Sequence, residues 1–175
     1  QCDQNGNASL LSALRNIDLS PYDSLVVGPG IGIDNDDWKK SKDYLMAFGG
    51  LLILDADALN RISESKLGSN FFLERKFKTW ITPHSKEFGR LFPNIKSKTN
   101  VGLARDAAKE FNISILLKGA NSIVADNKKV WQLFGTDSQT ARAGLGDLLA
   151  GFVAGSSAID LTLCRNISTD FFTKY

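Results

Sequence analysis

The sequence is poor in the residues that build metal centres and disulfide frameworks. Its 175 residues include one histidine and two cysteines, Cys2 and Cys164, which lie far apart and outside any CxxC pattern. A structural zinc site needs about four clustered histidine or cysteine ligands, so we expect no zinc site, and no residue is named as a metal ligand. Isolated cysteines also favour a reducing compartment over a disulfide-stabilised secreted fold, so we expect a cytoplasmic protein.

Long hydrophobic runs and blocks of one charge are also missing. Runs such as LLIL and SILL are much shorter than the roughly 18 apolar residues of a membrane span. Lysine and arginine total 21 against 19 for aspartate and glutamate, and they are scattered along the chain. Neither a membrane nor a nucleic acid is therefore an expected partner.

The composition is that of one soluble domain, with 43% hydrophobic and 23% charged residues. The chain begins with Gln1 and stops at FFTKY, soon after a helical pattern starts. We therefore expect residues 1–175 to be part of a single domain that is incomplete at both ends.

Short apolar runs rich in β-branched residues alternate with helical patterns along most of the chain. This alternation predicts an α/β fold, in which a mainly parallel sheet carries helices on both faces. The segments NSIVAD and KVWQLF flank a turn at Asn127 and Lys128, and they predict an antiparallel hairpin at the edge of the sheet. In open parallel sheets, ligands bind at the carboxyl ends of the strands.

Two motifs that follow predicted strands are ambiguous when taken alone. GPGIG lacks the Gly-Lys-Ser/Thr of a phosphate-binding P-loop, and Ile33 stands where the dinucleotide fingerprint requires glycine. It therefore favours an ordinary turn. DADAL places Asp55 and Asp57 on the same side of an extended strand, where they could line a polar crevice or bind Mg²⁺. Asp57 could equally cap a helix.

Two further strand ends carry polar residues. His84 follows a proline rather than lying on an apolar helix face, which favours a pocket, although a structural role for a lone histidine stays open. Lys118 and Gly119 end another strand and, with Asn121 and Ser122, could place an ammonium group near a phosphate. An ordinary surface lysine is the alternative.

The loop AGLGD is the most informative motif. Gly144 and Gly146 allow backbone N–H groups at the start of a helix to point at one place, which favours anion binding. Asp147 adds a carboxylate at the same place. A carboxylate beside an anion site is suited to accepting a proton from a hydroxyl group, so we interpret this loop as catalytic.

Together and in this order, the motifs resemble those of the NAD(P)H-hydrate dehydratase family, within the ribokinase-like superfamily. The family's GPGLG-like loop corresponds to residues 28–32, DADAL to 55–59, TPHxGE to 82–87, LKGxxT to the segment ending at Ser122, and GxGDxLxG to 144–151. The resemblance implies a ribokinase-like three-layer α/β/α fold. It also implies dehydration of NADH or NADPH that has been hydrated at C6, with ADP or ATP and Mg²⁺.

The resemblance further implies a role for each matching residue. Asp147 would accept the proton of the C6 hydroxyl, and Gly144 and Gly146 would cradle the transferred phosphoryl group. The implied substrate-binding residues are Gly30, Gly32, Asp57, His84 and Asp147. The implied nucleotide-binding residues are Lys118, Gly119, Ala120, Asn121, Ser122 and Gly146. Members of the family often assemble as homo-oligomers.

The chain departs from the family pattern at three positions. Lys86 replaces a glycine, Ser122 a threonine, and Leu145 the central threonine of GTGD. Leu145 is expected to alter nucleotide handling without abolishing activity, because the backbone donors remain. Two alternatives stay open: a ribokinase-like kinase of a small alcohol, which would release a stable phosphorylated product, and a nucleotide-binding module without turnover.

Overall fold

The computed structural model describes residues 9–32, 35–134 and 144–164. Its strands are β1 (Ser24–Val27), β2 (Leu51–Leu54), β3 (Thr79–Ile81), β4 (Ser114–Leu117), β5 (Ile123–Ala125) and β6 (Val130–Gln132). Its helices are α1 (Leu10–Asn16), α2 (Asn35–Ala47), α3 (Asp57–Glu64), α4 (Asn70–Glu74), α5 (Ser85–Leu91), α6 (Asn100–Phe111) and α7 (Leu145–Cys164).

The six strands form one mixed sheet in the order β1-β2-β3-β4-β5-β6. Strands β1 to β4 are parallel, whereas β4 with β5 and β5 with β6 pair antiparallel. This topology confirms the predicted parallel sheet and its edge hairpin. It also brings the carboxyl ends of β1 to β4 to one edge of the molecule.

Helices cover both faces of the sheet. Alternate residues of β2 point to opposite faces: Leu52 and Leu54 join the core formed with α1 to α6, whereas Leu51 and Ile53 pack against α7. Burial on both faces explains the continuous run LLIL, because a strand covered on two sides needs apolar residues at every position. The described elements therefore form three layers.

Helix α7 is fixed to the sheet along one side. Its residues Ala150 and Val153 are fully buried against the sheet. The hydroxyl of Ser24 on β1 donates a hydrogen bond to the carbonyl of Ala154 at 3.1 Å. The opposite side of α7 exposes Leu148 and Phe152. No helix among the described residues combines the length and apolarity needed to cross a membrane.

A buried arginine organises the amino end of the sheet. Arg75 is 6% exposed and donates hydrogen bonds to the carbonyls of Leu45, Met46 and Gly50 and to the hydroxyl of Thr79. Desolvation lowers the pKa of Arg75 to about 10, so the guanidinium is charged at neutral pH. Its hydrogen bonds are therefore charge-assisted.

Candidate functional site

Backbone hydrogen bonds continue past the strand ends and align three site residues. The amide of Asp55 donates to the carbonyl of Val27, that of Thr82 to Leu54, and that of Lys118 to Pro83, at 3.1, 3.1 and 2.8 Å. Asp55, Thr82 and Lys118 therefore follow β2, β3 and β4 side by side. Three motifs that are far apart in sequence meet at this edge.

An ion pair joins two of these residues. Lys118 Nζ lies 2.8 Å from Asp55 Oδ1, which also accepts a hydrogen bond from the amide of Ala56. The Asp55 side chain is only 2% exposed, whereas that of Lys118 is 25% exposed. The carboxylate therefore anchors the inner end of the pair, and the ammonium lies nearer the surface.

The start of α7 lies directly over this ion pair. A Cβ atom added to Gly146 would be 3.8 Å from both Asp55 Oδ2 and Lys118 Nζ. Gly144, just before the helix, has a φ of +83°, which favours glycine. A helix N-terminus carries partial positive charge, and here it lies beside both the Lys118 ammonium and the Asp55 carboxylate.

Asp147 lies in the first turn of α7 and is exposed. The residues 135–143 that precede it lie outside the described part of the chain. The anion site beside Asp147 and the role of Asp147 as a base both stay predictions.

The strand geometry assumed for DADAL is wrong. Strand β2 ends at Leu54, and Ala56, with φ +47°, turns the chain so that Asp57 begins α3. Asp55 consequently reaches Lys118, whereas Asp57 Oδ2 accepts a hydrogen bond from the amide of Gly32 at 3.0 Å. Asp57 does not cap its own helix either, because Ala56 occupies the N-cap position.

The GPGIG loop passes very close to DADAL. A Cβ on Gly28 would lie 1.7 Å from the carbonyl oxygen of Asp55, and Gly28 has a φ of +140°. No other residue fits there without moving the backbone. Gly30 and Gly32 also have positive φ angles, of +68° and +69°. The loop is a tight turn at the carboxyl end of β1, as predicted, and its glycines adopt the positive φ angles that this turn requires.

His84 has a structural role that the sequence left open. It is the N-cap of α5, where its Nδ1 accepts hydrogen bonds from the amides of Lys86 and Glu87 at 3.1 and 3.3 Å. The Glu87 carboxylate accepts from the His84 amide at 2.8 Å and completes a capping box. The His84 side chain is nevertheless 48% exposed, and its backbone pairs with Lys118. Its Nε2 also lies 3.4 Å from Glu87 Oε1, so both ring nitrogens have a protein partner and only the exposed ring surface is open to a ligand.

A groove of about 400 Å³ adjoins Lys118 and contains three of the four other residues of its motif. Such a volume lies within the range of small-molecule sites. Ser122 is not among the lining residues, and its hydroxyl donates to the carbonyl of Gly119 at 3.3 Å. The groove is lined by Thr99, Asn100, Val101, Gly119, Ala120, Asn121, Ile123 and Gln132.

A larger cavity of about 730 Å³ lies at the opposite end of the sheet, between the segments 18–23 and 47–50. It contains none of the predicted site residues. The larger cavity therefore does not coincide with the predicted site.

The family model described as NAD(P)H-hydrate dehydratase matches residues 4–166. The chain belongs to the NAD(P)H-hydrate dehydratase family. The bifunctional NAD(P)H-hydrate repair enzymes of Gloeobacter violaceus and of Synechocystis are 37% and 34% identical to it over 94% and 83% of this chain. The chain spans 31% and 27% of the length of these relatives.

Solved structures confirm the expected fold of this family member. A ribokinase-like superfamily protein from Enterococcus faecalis superposes with a TM-score of 0.67 at 26% identity, covering 80% of this chain and 49% of that one. The ADP/ATP-dependent NAD(P)H-hydrate dehydratase from Bacillus subtilis, co-crystallised with ATP and Mg²⁺, gives a TM-score of 0.65 at 24% identity. It covers 84% of this chain and 51% of its own.

Three residues of the site were absent from the roles that the family motifs implied. The motifs include Asp55 as a carboxylate of DADAL and Thr82 as part of TPH, and they do not include Arg61. Arg61 donates to the carbonyl of Gly32 at 2.6 Å and to that of Ile31. Its position one helical turn after Asp57 was the available signal, because residues four apart share a helix face.

Proposed function

We propose that this protein removes water from hydrated NADH or NADPH, using ADP or ATP as the phosphoryl donor. Membership of the NAD(P)H-hydrate dehydratase family supports the substrate class. The observation that carries the proposal is the position of Gly146, 3.8 Å from both Asp55 and Lys118 once a Cβ is added. The helix start that precedes Asp147 and the Lys118 ammonium thereby converge on one point.

In the proposed reaction, the C6 hydroxyl of the hydrate gives its proton to Asp147. The hydroxyl oxygen bonds to the terminal phosphorus of the nucleotide as the bond to the bridging oxygen breaks, which releases AMP from ADP or ADP from ATP. The C6–O bond then breaks with the help of the ring nitrogen lone pair, and phosphate leaves. A proton then passes from C5 to solvent water, which restores the C5=C6 double bond of the reduced nicotinamide.

Charge accumulates on the transferred phosphoryl group during the first step. Lys118 and the backbone N–H groups around Gly144 and Gly146 would stabilise this charge, and fixed donors of this kind are effective because they need no reorganisation. The neighbouring groove with Gly119, Ala120 and Asn121 would hold the rest of the nucleotide. The loop with Gly30 and Gly32, and the exposed side of His84, would face the hydrate.

Magnesium fits this site as a companion of the nucleotide. The described part of the chain contains no group of three histidine, cysteine, aspartate or glutamate side chains suited to a metal. Mg²⁺ commonly binds through substrate phosphates with one or two carboxylates, so the phosphates would hold it. When bound, the ion neutralises phosphate charge.

The test is restoration of reduced nicotinamide absorbance from hydrated NADH by the full-length protein with ADP or ATP. Asp147→Asn is expected to lower turnover by roughly 100- to 10,000-fold, the usual contribution of a general base. Asp106→Asn is the matched control, because Asp106 is 41% exposed and pairs with Arg105 on α6. Recovery without nucleotide, or a stable phosphorylated product without recovery, would overturn the proposal; the second result would support a kinase.

The wider expectations belong to the same proposal. We infer that residues 1–175 are part of one catalytic domain, that the protein works in the cytoplasm, and that it assembles as a homo-oligomer. The exposed side of α7 with Leu148 and Phe152 supports the last point, because exposed apolar patches often mark interfaces. Light scattering of the full-length protein tests it, and a monomer at assay concentration would refute it.

A further inference from the structure

A buried arginine is hydrogen-bonded to the backbone of the GPGIG loop. Arg61 on α3 is 1% exposed. Its Nε donates to the carbonyl of Gly32 at 2.6 Å and its Nη2 to the carbonyl of Ile31. Two adjacent carbonyls of one loop therefore converge on one guanidinium, an arrangement that the planar fork of arginine suits and lysine does not.

The amide of the same glycine is held from the same helix. Asp57, one turn before Arg61, accepts a hydrogen bond from the Gly32 amide at 3.0 Å. Both polar backbone groups of Gly32 are thus bonded to side chains of α3. Gly32 has a φ of +69° and lies outside any helix or strand. The hydrogen bonds from Asp57 and Arg61 therefore define its local geometry.

Arg61 is itself held in place from a third direction. Its Nη1 lies 3.3 Å from Asp37 Oδ2. The Asp37 carboxylate also accepts hydrogen bonds from the amides of Leu10 and Leu11 at the start of α1, at 2.9 and 3.1 Å. The side chains of Arg61 and Asp37 therefore join the loop, α1, α2 and α3, and the guanidinium has little freedom to rotate.

We propose that Arg61 is a positioning residue for the hydrated cofactor, acting through the backbone of Ile31 and Gly32. This inference rests on the proposed function, in which this loop contacts the hydrate. Arg61 itself is buried and need not touch the substrate. It keeps the Gly32 turn in the conformation that the hydrate meets, and Asp57 Oδ2 holds the amide of the same turn.

The prediction is specific to one substrate. Arg61→Met in the full-length protein raises KM for hydrated NADH by roughly 10- to 100-fold, because small displacements of a binding group are costly, and leaves the Kd for ADP unchanged. Arg61→Lys keeps a positive charge opposite Asp37 but lacks the planar guanidinium that donates to two adjacent carbonyls. It is expected to lose less stability than the methionine variant while showing the same selective rise in KM.

Arg75→Met is the matched control, since Arg75 is a second buried arginine that binds backbone carbonyls at the other end of the sheet. It is expected to lower the melting temperature and to leave both KM and Kd unchanged. A purely structural role for Arg61 would make the two arginine variants behave alike. That result, or an unchanged KM for the hydrate in both Arg61 variants, overturns the inference.

Amide hydrogen exchange separates this inference from the proposed function. Peptides that cover residues 28–32 should exchange faster in the Arg61 variants than in the wild-type protein or in Arg75→Met. If the wild-type protein does not act on the hydrate, the proposed function fails, and exchange alone decides whether Arg61 holds the loop. Unchanged exchange in this segment refutes the positioning role.

Discussion

The two ends of the sheet use buried polar groups in different ways. At the amino end, Arg75 bonds to three carbonyls and to the hydroxyl of Thr79. At the carboxyl end, Lys118 pairs with Asp55 yet remains 25% exposed, and the buried Thr82 hydroxyl has no hydrogen-bond partner among the described residues. The amino end meets the requirement that buried polar groups be bonded, whereas the carboxyl end retains polar capacity for a ligand.

Replacing the arginine of the amino end should have the largest effect on stability. Arg75→Met leaves three backbone carbonyls without a donor, and we expect the free energy of unfolding to fall by about 3 kcal/mol. Chemical denaturation measures this change. Activity per folded molecule should be unchanged, and a selective change in substrate KM would contradict the division between the two ends.

Removing the anchor of Lys118 should affect nucleotide binding. In Asp55→Asn the ammonium loses its negative partner and its fixed position, so the Kd for ADP is expected to rise about tenfold, or about 1.4 kcal/mol. Calorimetry measures it. The effect should vanish in a Lys118→Met background, because the two changes remove the same interaction. An additive double variant would show that Asp55 acts independently of Lys118.

The two buried threonines at opposite ends of β3 offer the sharpest comparison. Thr82→Val removes an unpartnered hydroxyl at nearly constant shape, so the free energy of unfolding should rise by about 1 kcal/mol. Thr79→Val removes an acceptor from the charged Arg75 and should lower it by about 2 kcal/mol. Thermal and chemical denaturation of the free protein test both signs.

A stability loss for Thr82→Val would mean that its hydroxyl is bonded in solution, for example to a buried water. The carboxyl end would then be as fully satisfied as the amino end. The two ends would then differ only in the exposure of their cationic side chains, Lys118 and Arg75.

The smallest expected effect concerns Ala56, the residue that separates the two aspartates of DADAL. Its φ of +47° is unfavourable for alanine and natural for glycine. Ala56→Gly should raise the free energy of unfolding by about 0.5 kcal/mol, since the strain relieved slightly exceeds the added entropy of the unfolded chain. Denaturation midpoints report it, with Ala58→Gly inside α3 as a destabilised control.

Local pattern was sufficient for the architecture of this protein. The alternation of short apolar runs with helical patterns predicted the mainly parallel sheet, and NSIVAD with KVWQLF predicted the edge hairpin, because side-chain periodicity and turn chemistry are properties of short segments. The five motifs also led to the family, and the rule for parallel sheets placed them at one edge. All of these conclusions depend on sequence neighbours or on general topology.

Only the tertiary structure decided which side chains meet. The spacing of Asp55 and Asp57 predicted two carboxylates on one side of a strand. The turn at Ala56 instead brings Asp55 to Lys118 and Asp57 to the amide of Gly32. His84 read as a pocket residue, yet it also caps α5. Arg61 carried no motif, yet it binds the loop some 30 positions earlier in the chain. Hydrogen bonds between distant segments depend on how strands and helices pack, and no local pattern contains that information.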